Sequence, residues 1–166
     1  MDELGRIVVQ LAHVLSGVLW IGGGFYTILV QLPALAAMPM PARGPALAAI
    51  GPRQVRYLLR VAELTIATGI LQLFIDPHRF LGDLGTRWSI AIALGALMAF
   101  VAYGVLRGPL RAAIERLLVT APVAAGGDAS AARRVGVLRE RIQRIGYAQM
   151  ALGMLILAAM VTARFS

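Results

Sequence analysis

The sequence predicts an all-α integral membrane protein: a four-helix bundle with antiparallel up-down-up-down topology and both termini on the outer side of the membrane. Hydrophobic residues make up 59% of the 166-residue chain and charged residues only 14%. Mean hydropathy is +0.77, which is too high for a soluble domain of this size. Four apolar runs are each long enough to cross a bilayer at about 1.5 Å per residue. We therefore expect one transmembrane domain over residues 1–166, with helices at about 5–32, 54–75, 87–107 and 135–164.

The first apolar run covers residues 7–32 and is charge-free apart from His13. The run is too long for the apolar region of a signal peptide, and the residues before it are more acidic than basic. We therefore expect a retained first transmembrane helix rather than a cleaved leader.

The other three runs cover 55–75, 88–106 and 145–163. The last two contain no charged residue, whereas the second contains Glu63, with Arg56 and Arg60 near one end, where they can reach the interface. Each run therefore predicts one further transmembrane helix.

Prolines and glycines between the runs predict loops. They include Pro33, Pro39, Pro41, Pro45 and Pro52 before the second helix, and Gly108, Pro109, Gly126 and Gly127 before the fourth. Segment 111–118 fits either a short interfacial helix or an extension of the third helix. Ser130 is the predicted N-cap of the stretch that leads into the fourth helix.

The arginines predict the orientation. All sixteen basic residues are arginines, and they cluster at the ends of the apolar runs. Four lie on the side of the termini and twelve on the other, which predicts an N-out, C-out protein, in a bacterial cytoplasmic membrane. Anionic lipid headgroups explain the net charge of +8 better than nucleic acid does. The four arginines on the side of the termini are Arg6, Arg79, Arg87 and Arg164.

Several metal sites are excluded by composition. The chain has no cysteine, which excludes disulfides, iron–sulfur clusters and covalently attached haem. It has only two histidines, so one chain cannot supply a three-histidine metal centre.

His13 is the strongest functional candidate, because ionisable groups at membrane depth are costly and tend to mark functional sites. At about 100° per residue it lies on one stripe of small and polar residues facing the bundle. Gly17 and Gly24 on that stripe suit either close helix packing or a flat macrocycle. The stripe contains Arg6, Gln10, His13, Gly17, Trp20, Gly24, Thr27 and Gln31.

Depth along the helices indicates which residues share the layer of His13. His13 lies about 9 Å from the outer edge of its run, Met98 about 15 Å and Met154 about 13 Å. Thr68 and Gln72 lie about 10 and 5 Å deep, where either can hydrogen-bond the imidazole.

Haem b fits this layer, with His13 as axial ligand. The second ligand would be Met98, Met154 or His78. Arginines on the outer side can pair with the propionates: Arg6, Arg79 and Arg87. The alternative is a buried histidine that donates to a carbonyl or a tyrosine and only helps helices associate.

A second polar layer is predicted nearer the inner face, from Glu63, Tyr103 and Tyr147, at about 18, 22 and 24 Å from the outer ends of their runs. Such a layer can relay protons or bind a quinone. Alternatively, Glu63 pairs with Arg60 or Arg56 on its own helix, which we favour.

Methionine thioethers also bind Cu(I). The candidates are Met38 with Met40, and Met150 with Met154. Methionines in transmembrane helices more often serve packing, so copper handling is an alternative.

The motifs together resemble the CopD-like (copper resistance D) membrane proteins. The resemblance rests on His13, the segment Trp20-Ile21-Gly22-Gly23-Gly24-Phe25, Pro33, Gly51-Pro52-Arg53, Thr68-Gly69, Gln149 and Gly153. Relatives of that family include HemJ-type protoporphyrinogen oxidases and the membrane region of urate-oxidase-like proteins. The resemblance implies a four-helix membrane bundle with b-type haem on the histidine of the first helix.

We therefore expect a haem b-binding membrane protein with a redox or electron-transfer role, compatible with a membrane oxidoreductase. The alternatives are a non-catalytic accessory subunit of a larger membrane complex and a copper-handling membrane protein. Expected partners are the lipid bilayer, a redox partner or larger complex, and a second copy of the chain.

Overall fold

The computed structural model describes residues 2–75 and 85–165. Within these ranges the chain forms four helices long and apolar enough to cross a membrane, and no strand. They are α1 (Glu3–Ala37), α2 (Met40–Ile75), α3 (Arg87–Ala125) and α4 (Ala129–Arg164). α1 and α3 each include one wider π-helical turn, at Thr27–Gln31 and Leu106–Leu110. For the described residues, the prediction of an all-helical protein with four helices able to span a membrane is confirmed.

Side-chain caps set where the helices begin. The Asp128 carboxylate accepts hydrogen bonds from the backbone N–H groups of Ser130 and Ala131, at 2.7 and 3.0 Å. Asp2 and Thr86 cap α1 and α3 in the same way, satisfying donors that have no partner within the first helical turn. The predicted Ser130 cap is therefore wrong, because Asp128 takes this role two residues earlier.

The helices extend further on the arginine-rich side than the sequence predicted. Pro45 and Pro52 lie inside α2, which begins well before position 54. α3 continues through Pro109 to Ala125. An interior proline removes a backbone hydrogen bond and crowds the preceding turn, and the π turn at Pro109 absorbs this misfit. Segment 111–118 is therefore an extension of the third helix, which was one of the two alternatives.

A separate apolar cluster stabilises these longer ends. Ala113, Leu117 and Ile142 are buried there, and Leu47 and Ile114 pack against them. Each large aliphatic side chain buried contributes about 1.5–3 kcal/mol, which offsets the cost of about 3 kcal/mol for a proline inside a helix. We call this part of the molecule the arginine-side extension: residues 40–52, 107–125 and 129–144.

The main core lies between all four helices. Its buried members are Trp20, Leu58, Leu59, Ala62, Ala102, Leu106 and Ile156. Large apolar side chains also cover the outside of the bundle: Leu11, Leu15, Leu97, Phe100 and Leu155 are each at least half exposed. An apolar outer surface of this extent is typical of helices in contact with lipid.

Glycines on α4 allow α1 to approach it closely. Gly146 faces Ile28, and Gly153, one heptad later on α4, faces Ile21, one heptad earlier on α1. A Cβ atom on Gly146 would overlap the Ile28 side chain, and one on Gly153 would lie 3.2 Å from Cγ2 of Ile21. Two isoleucines of α1 thus fill two glycine notches of α4, which fixes the register of this pair.

Candidate functional site

His13 is hydrogen-bonded to the backbone of the neighbouring helix. Its Nδ1 atom lies 2.9 Å from the carbonyl oxygen of Thr65 and 3.4 Å from Oγ1 of Thr68. A carbonyl oxygen only accepts, so Nδ1 must carry the proton that it donates to Thr65. In the neutral ring the lone pair is then on Nε2, the atom left to bind a metal or accept a further proton.

The imidazole lies against a glycine of α2. A Cβ atom at Gly69 would be only 3.0 Å from Cε1 of His13, and one at Gly17 would be 3.7 Å from the Thr65 methyl group. Gly69 therefore makes the room in which the ring reaches the Thr65 carbonyl. Gly17 itself packs against Thr65 of α2.

Hydroxyl groups surround this contact. Ser16, Thr65 and Thr68 donate to carbonyl oxygens one turn back in their own helices, at 2.7, 2.7 and 2.6 Å. Gln72 lies one turn beyond Thr68, and its buried Nε2 atom has no hydrogen-bond partner in the described part of the chain. The depth count thus placed Thr68 correctly beside His13, whereas no hydrogen bond joins Gln72 to the imidazole.

None of the other predicted ligands is hydrogen-bonded to His13 within the described residues. The hydrogen bonds of its ring within the described residues all go to α2. Met98 packs against the main core, and Met154 is 56% exposed on the outside of α4. Arg6 and Arg87 are exposed near the starts of α1 and α3. Two further predicted site residues lie outside the described residues: His78 and Arg79.

Trp20 and Gly24 lie deeper in the bundle than His13. Trp20 is a buried core residue, and both residues line a partly open cavity of about 80 Å³ between the helices. Gln149 also lines it, with its amide donating to the Ala102 carbonyl at 2.7 Å. Ligand pockets have volumes of about 300–1,000 Å³, so this cavity is too small for a macrocycle.

The predicted inner polar layer forms in part. Glu63 accepts a hydrogen bond from the Tyr103 hydroxyl at 3.0 Å and pairs with Arg60 at 3.2 Å and Arg107 at 3.8 Å. The predicted pairing of Glu63 with Arg60 is therefore present, and its contacts with Tyr103 and Arg107 tie α2 to α3. Tyr147 lies apart, with its hydroxyl 3.5 Å from the amide of Gln143 on α4.

A second concave surface was not predicted. It is an open groove of about 500 Å³ between α1 and α2, near the arginine-side extension. The sequence offered one signal for it: tyrosines near the ends of apolar runs, which favour the membrane interface. That two of them line the same groove depends on how the helices pack. The groove is lined by Gly23, Tyr26, Gln31, Ala49, Ile50, Arg53, Gln54, Tyr57 and Leu58.

No group of three or more histidine, aspartate or glutamate side chains is placed to hold a metal ion within residues 2–75 and 85–165. No family model, curated protein or solved structure matches the chain.

Proposed function

We propose that the chain is a haem b-binding membrane protein with a redox or electron-transfer role, in which Nε2 of His13 ligates the iron. The observation that carries the proposal is the 2.9 Å contact between His13 Nδ1 and the Thr65 carbonyl. Histidine ligands of metals almost always donate their other ring N–H in this way, which fixes the tautomer and raises ligand basicity. The CopD-like resemblance supports the same residue.

The residues present fit the donor chemistry of this group. His13 is half-buried, with a fixed tautomer, and Gly69 holds its ring against α2. The cavity lined by Trp20 and Gly24 measures about 80 Å³ and is not lined by His13, so it would not hold the ligated macrocycle. Within the described residues, Arg6 and Arg87 are the arginines that we propose to pair with the haem propionates. Bound haem would supply one-electron exchange at its iron.

We further propose that the four helices alternate in direction across a bacterial cytoplasmic membrane, with both termini outside. Contacts between α1 and α2 support the alternation, because Gly17 meets Thr65 and Gly23 meets Leu58. Residue numbers increase along α1 where they decrease along α2, as in an antiparallel pair. The excess of arginine on the side of the arginine-side extension supports the orientation.

The test is an absorption spectrum of the protein purified after expression with ample haem. We expect a Soret band in the parent protein and its loss in His13→Ala. Gln10→Ala is the matched control, because Gln10 lies on the same stripe one turn away and should leave the band unchanged. Absence of the band in the haem-supplied parent would overturn the proposal.

A second candidate is a non-catalytic accessory subunit of a larger membrane complex. The same hydrogen bond favours it, since a histidine that donates to a carbonyl of a neighbouring helix has a sufficient structural role. Exposed apolar residues in the arginine-side extension, such as Val119 and Val137, suit contact with a partner protein. Co-purification of partners without bound cofactor would favour this role. Metal analysis of the same sample tests the third candidate, since stoichiometric copper without haem would indicate copper handling.

A further inference from the structure

The open groove between α1 and α2 has the chemistry of a site for an anionic amphiphile. We propose that it binds one anionic phospholipid from the leaflet on the arginine-rich side, with the phosphate at Arg53 and an acyl chain beside Leu58. The inference does not depend on haem: along α1, Thr27 is about 21 Å from His13 at 1.5 Å per residue.

The groove is a built feature of the packing rather than a gap. On α1 it begins at Gly23, which has no side chain, and passes along the π-helical turn Thr27–Gln31. Turns of this kind inside α-helices are often found at functional sites. The amide of Gln54 donates to the Thr27 hydroxyl, which holds α1 and α2 together across the groove.

The polar side chains of the lining are concentrated toward one end. Gly23 and Leu58 lie at the apolar end, and the other end has Gln31 and Arg53 together with Ala49 and Ile50. Tyr57 is half-exposed near Leu58; tyrosines favour the boundary between hydrocarbon and headgroups. This order matches an acyl chain followed by a polar headgroup.

The charge of the groove selects an anion. Arg53 is its cationic member, and within the described residues no carboxylate lines it. One N–H of the Arg53 guanidinium donates to the Ala49 carbonyl at 2.5 Å. A guanidinium has five N–H donors and binds phosphate in two-point geometry. Arg53 can therefore keep this bond and still bind a lipid phosphate.

The groove lies at the depth expected for lipid headgroups. Arg53 lies immediately before the apolar run of α2 at 55–75, where the span gives way to the arginine-side extension. Anionic lipids gather opposite such basic segments. Each arginine near the surface contributes about 1 kcal/mol to this attraction.

The test uses native mass spectrometry of the full chain in detergent, incubated with an equimolar mixture of phosphatidylglycerol and phosphatidylcholine. We expect the parent to retain one phosphatidylglycerol per chain in preference to phosphatidylcholine. Arg53→Gln should lower that preference by about tenfold, because it removes the cation that pairs with the net negative charge of phosphatidylglycerol, whereas the choline ammonium already offsets the phosphate of phosphatidylcholine.

Arg56→Gln is the matched control, because it removes the same charge from the same helix outside the groove and should leave the preference unchanged. Ala49→Phe fills the groove while keeping Arg53, and it should lower retention of both lipids. Inorganic phosphate should not displace the lipid, because it lacks the chains that the apolar end holds.

Three results would overturn the proposal. They are no preference for phosphatidylglycerol in the parent, equal losses in Arg53→Gln and Arg56→Gln, and full retention in Ala49→Phe. Displacement by inorganic phosphate would overturn it too, because the groove would then be only an anion site. If Arg53→Gln fails to fold, Arg53→Lys and Ala49→Phe decide, with a weaker preference expected in the first because lysine lacks two-point geometry.

Discussion

The Nδ1 atom of His13 lies 2.9 Å from the carbonyl oxygen of Thr65, so an ionisable ring on α1 is held by the backbone of α2. Because the acceptor is a main-chain atom, replacing the Thr65 side chain would not remove it. The contact depends on how closely the two helices approach, and Gly69 sets that approach.

Gly69→Ala should displace His13. The new Cβ atom would be 3.0 Å from Cε1 of the ring, so the imidazole must move by a few tenths of an ångström and its bond to Thr65 weakens. We expect a loss of about 1 kcal/mol in the free energy of unfolding, the scale of one interhelical hydrogen bond in a membrane protein. The measurement is thermal unfolding in detergent. Gly22→Ala is the control, because nothing lies within 4 Å of its added Cβ; equal losses in both variants would contradict the prediction.

Glu63 and Tyr103 should be energetically coupled. A double-mutant cycle of Glu63→Gln and Tyr103→Phe should give a coupling of about 0.5–1 kcal/mol. Arg60 contributes little to this, because its side chain is 84% exposed and exposed ion pairs add little stability. Arg60→Gln with Tyr103→Phe serves as the comparison cycle and should give a smaller coupling. Additive effects of Glu63→Gln and Tyr103→Phe would mean that the 3.0 Å bond contributes no measurable stability.

Gly146→Ala should loosen the contact between α1 and α4. Its Cβ atom would overlap the Ile28 side chain, and overpacking of this kind costs about 1–3 kcal/mol. The double variant Gly146→Ala with Ile28→Ala should lose less stability than the sum of the two single losses, because the clash is removed. Gly136→Ala, on the same helix with open space around it, should instead be neutral or stabilising by up to about 1 kcal/mol. A destabilisation in Gly136→Ala as large as that in Gly146→Ala would rule out the notch as the cause.

Asp128 should make stability depend on pH at the acid end. The Ser130 side chain and the backbone N–H groups of Ala131 and Ser130 lower the pKa of the Asp128 carboxyl below its ordinary value of 3.8. A carboxylate with a lowered pKa contributes its full stabilisation above pH 3.8, and the contribution is lost as the pH falls through the lower folded-state pKa. Asp128→Ala should therefore lower the melting temperature at neutral pH. In acid, the difference in melting temperature between this variant and the parent should be smaller. Asp128→Asn keeps a capping side chain without the charge, so a melting temperature equal to that of Asp128→Ala at neutral pH would contradict a capping role.

The helix ends show where sequence reasoning succeeded and where it did not. Four membrane-spanning helices follow from local hydropathy, and the structure has all four. The boundary near position 54 was wrong, because Pro52 was interpreted as a turn signal although contacts of Leu47 and Ile114 stabilise the helix around it. A proline's local preference is known from sequence; the packing that outweighs it is not.

The chemistry of the candidate site divides in the same way. By itself, the sequence determined that the protein is a membrane helical bundle, that His13 is its unusual ionisable group in the first span, and that Glu63 has arginine partners within reach. These follow from composition and from the fixed rise of a helix. The tertiary structure alone decided that His13 donates to Thr65, that Tyr103 rather than Tyr147 reaches Glu63, and that Arg53 and two tyrosines border one groove. Such contacts depend on the rotation and register between helices, which side-chain packing sets and which the period of a single helix does not contain.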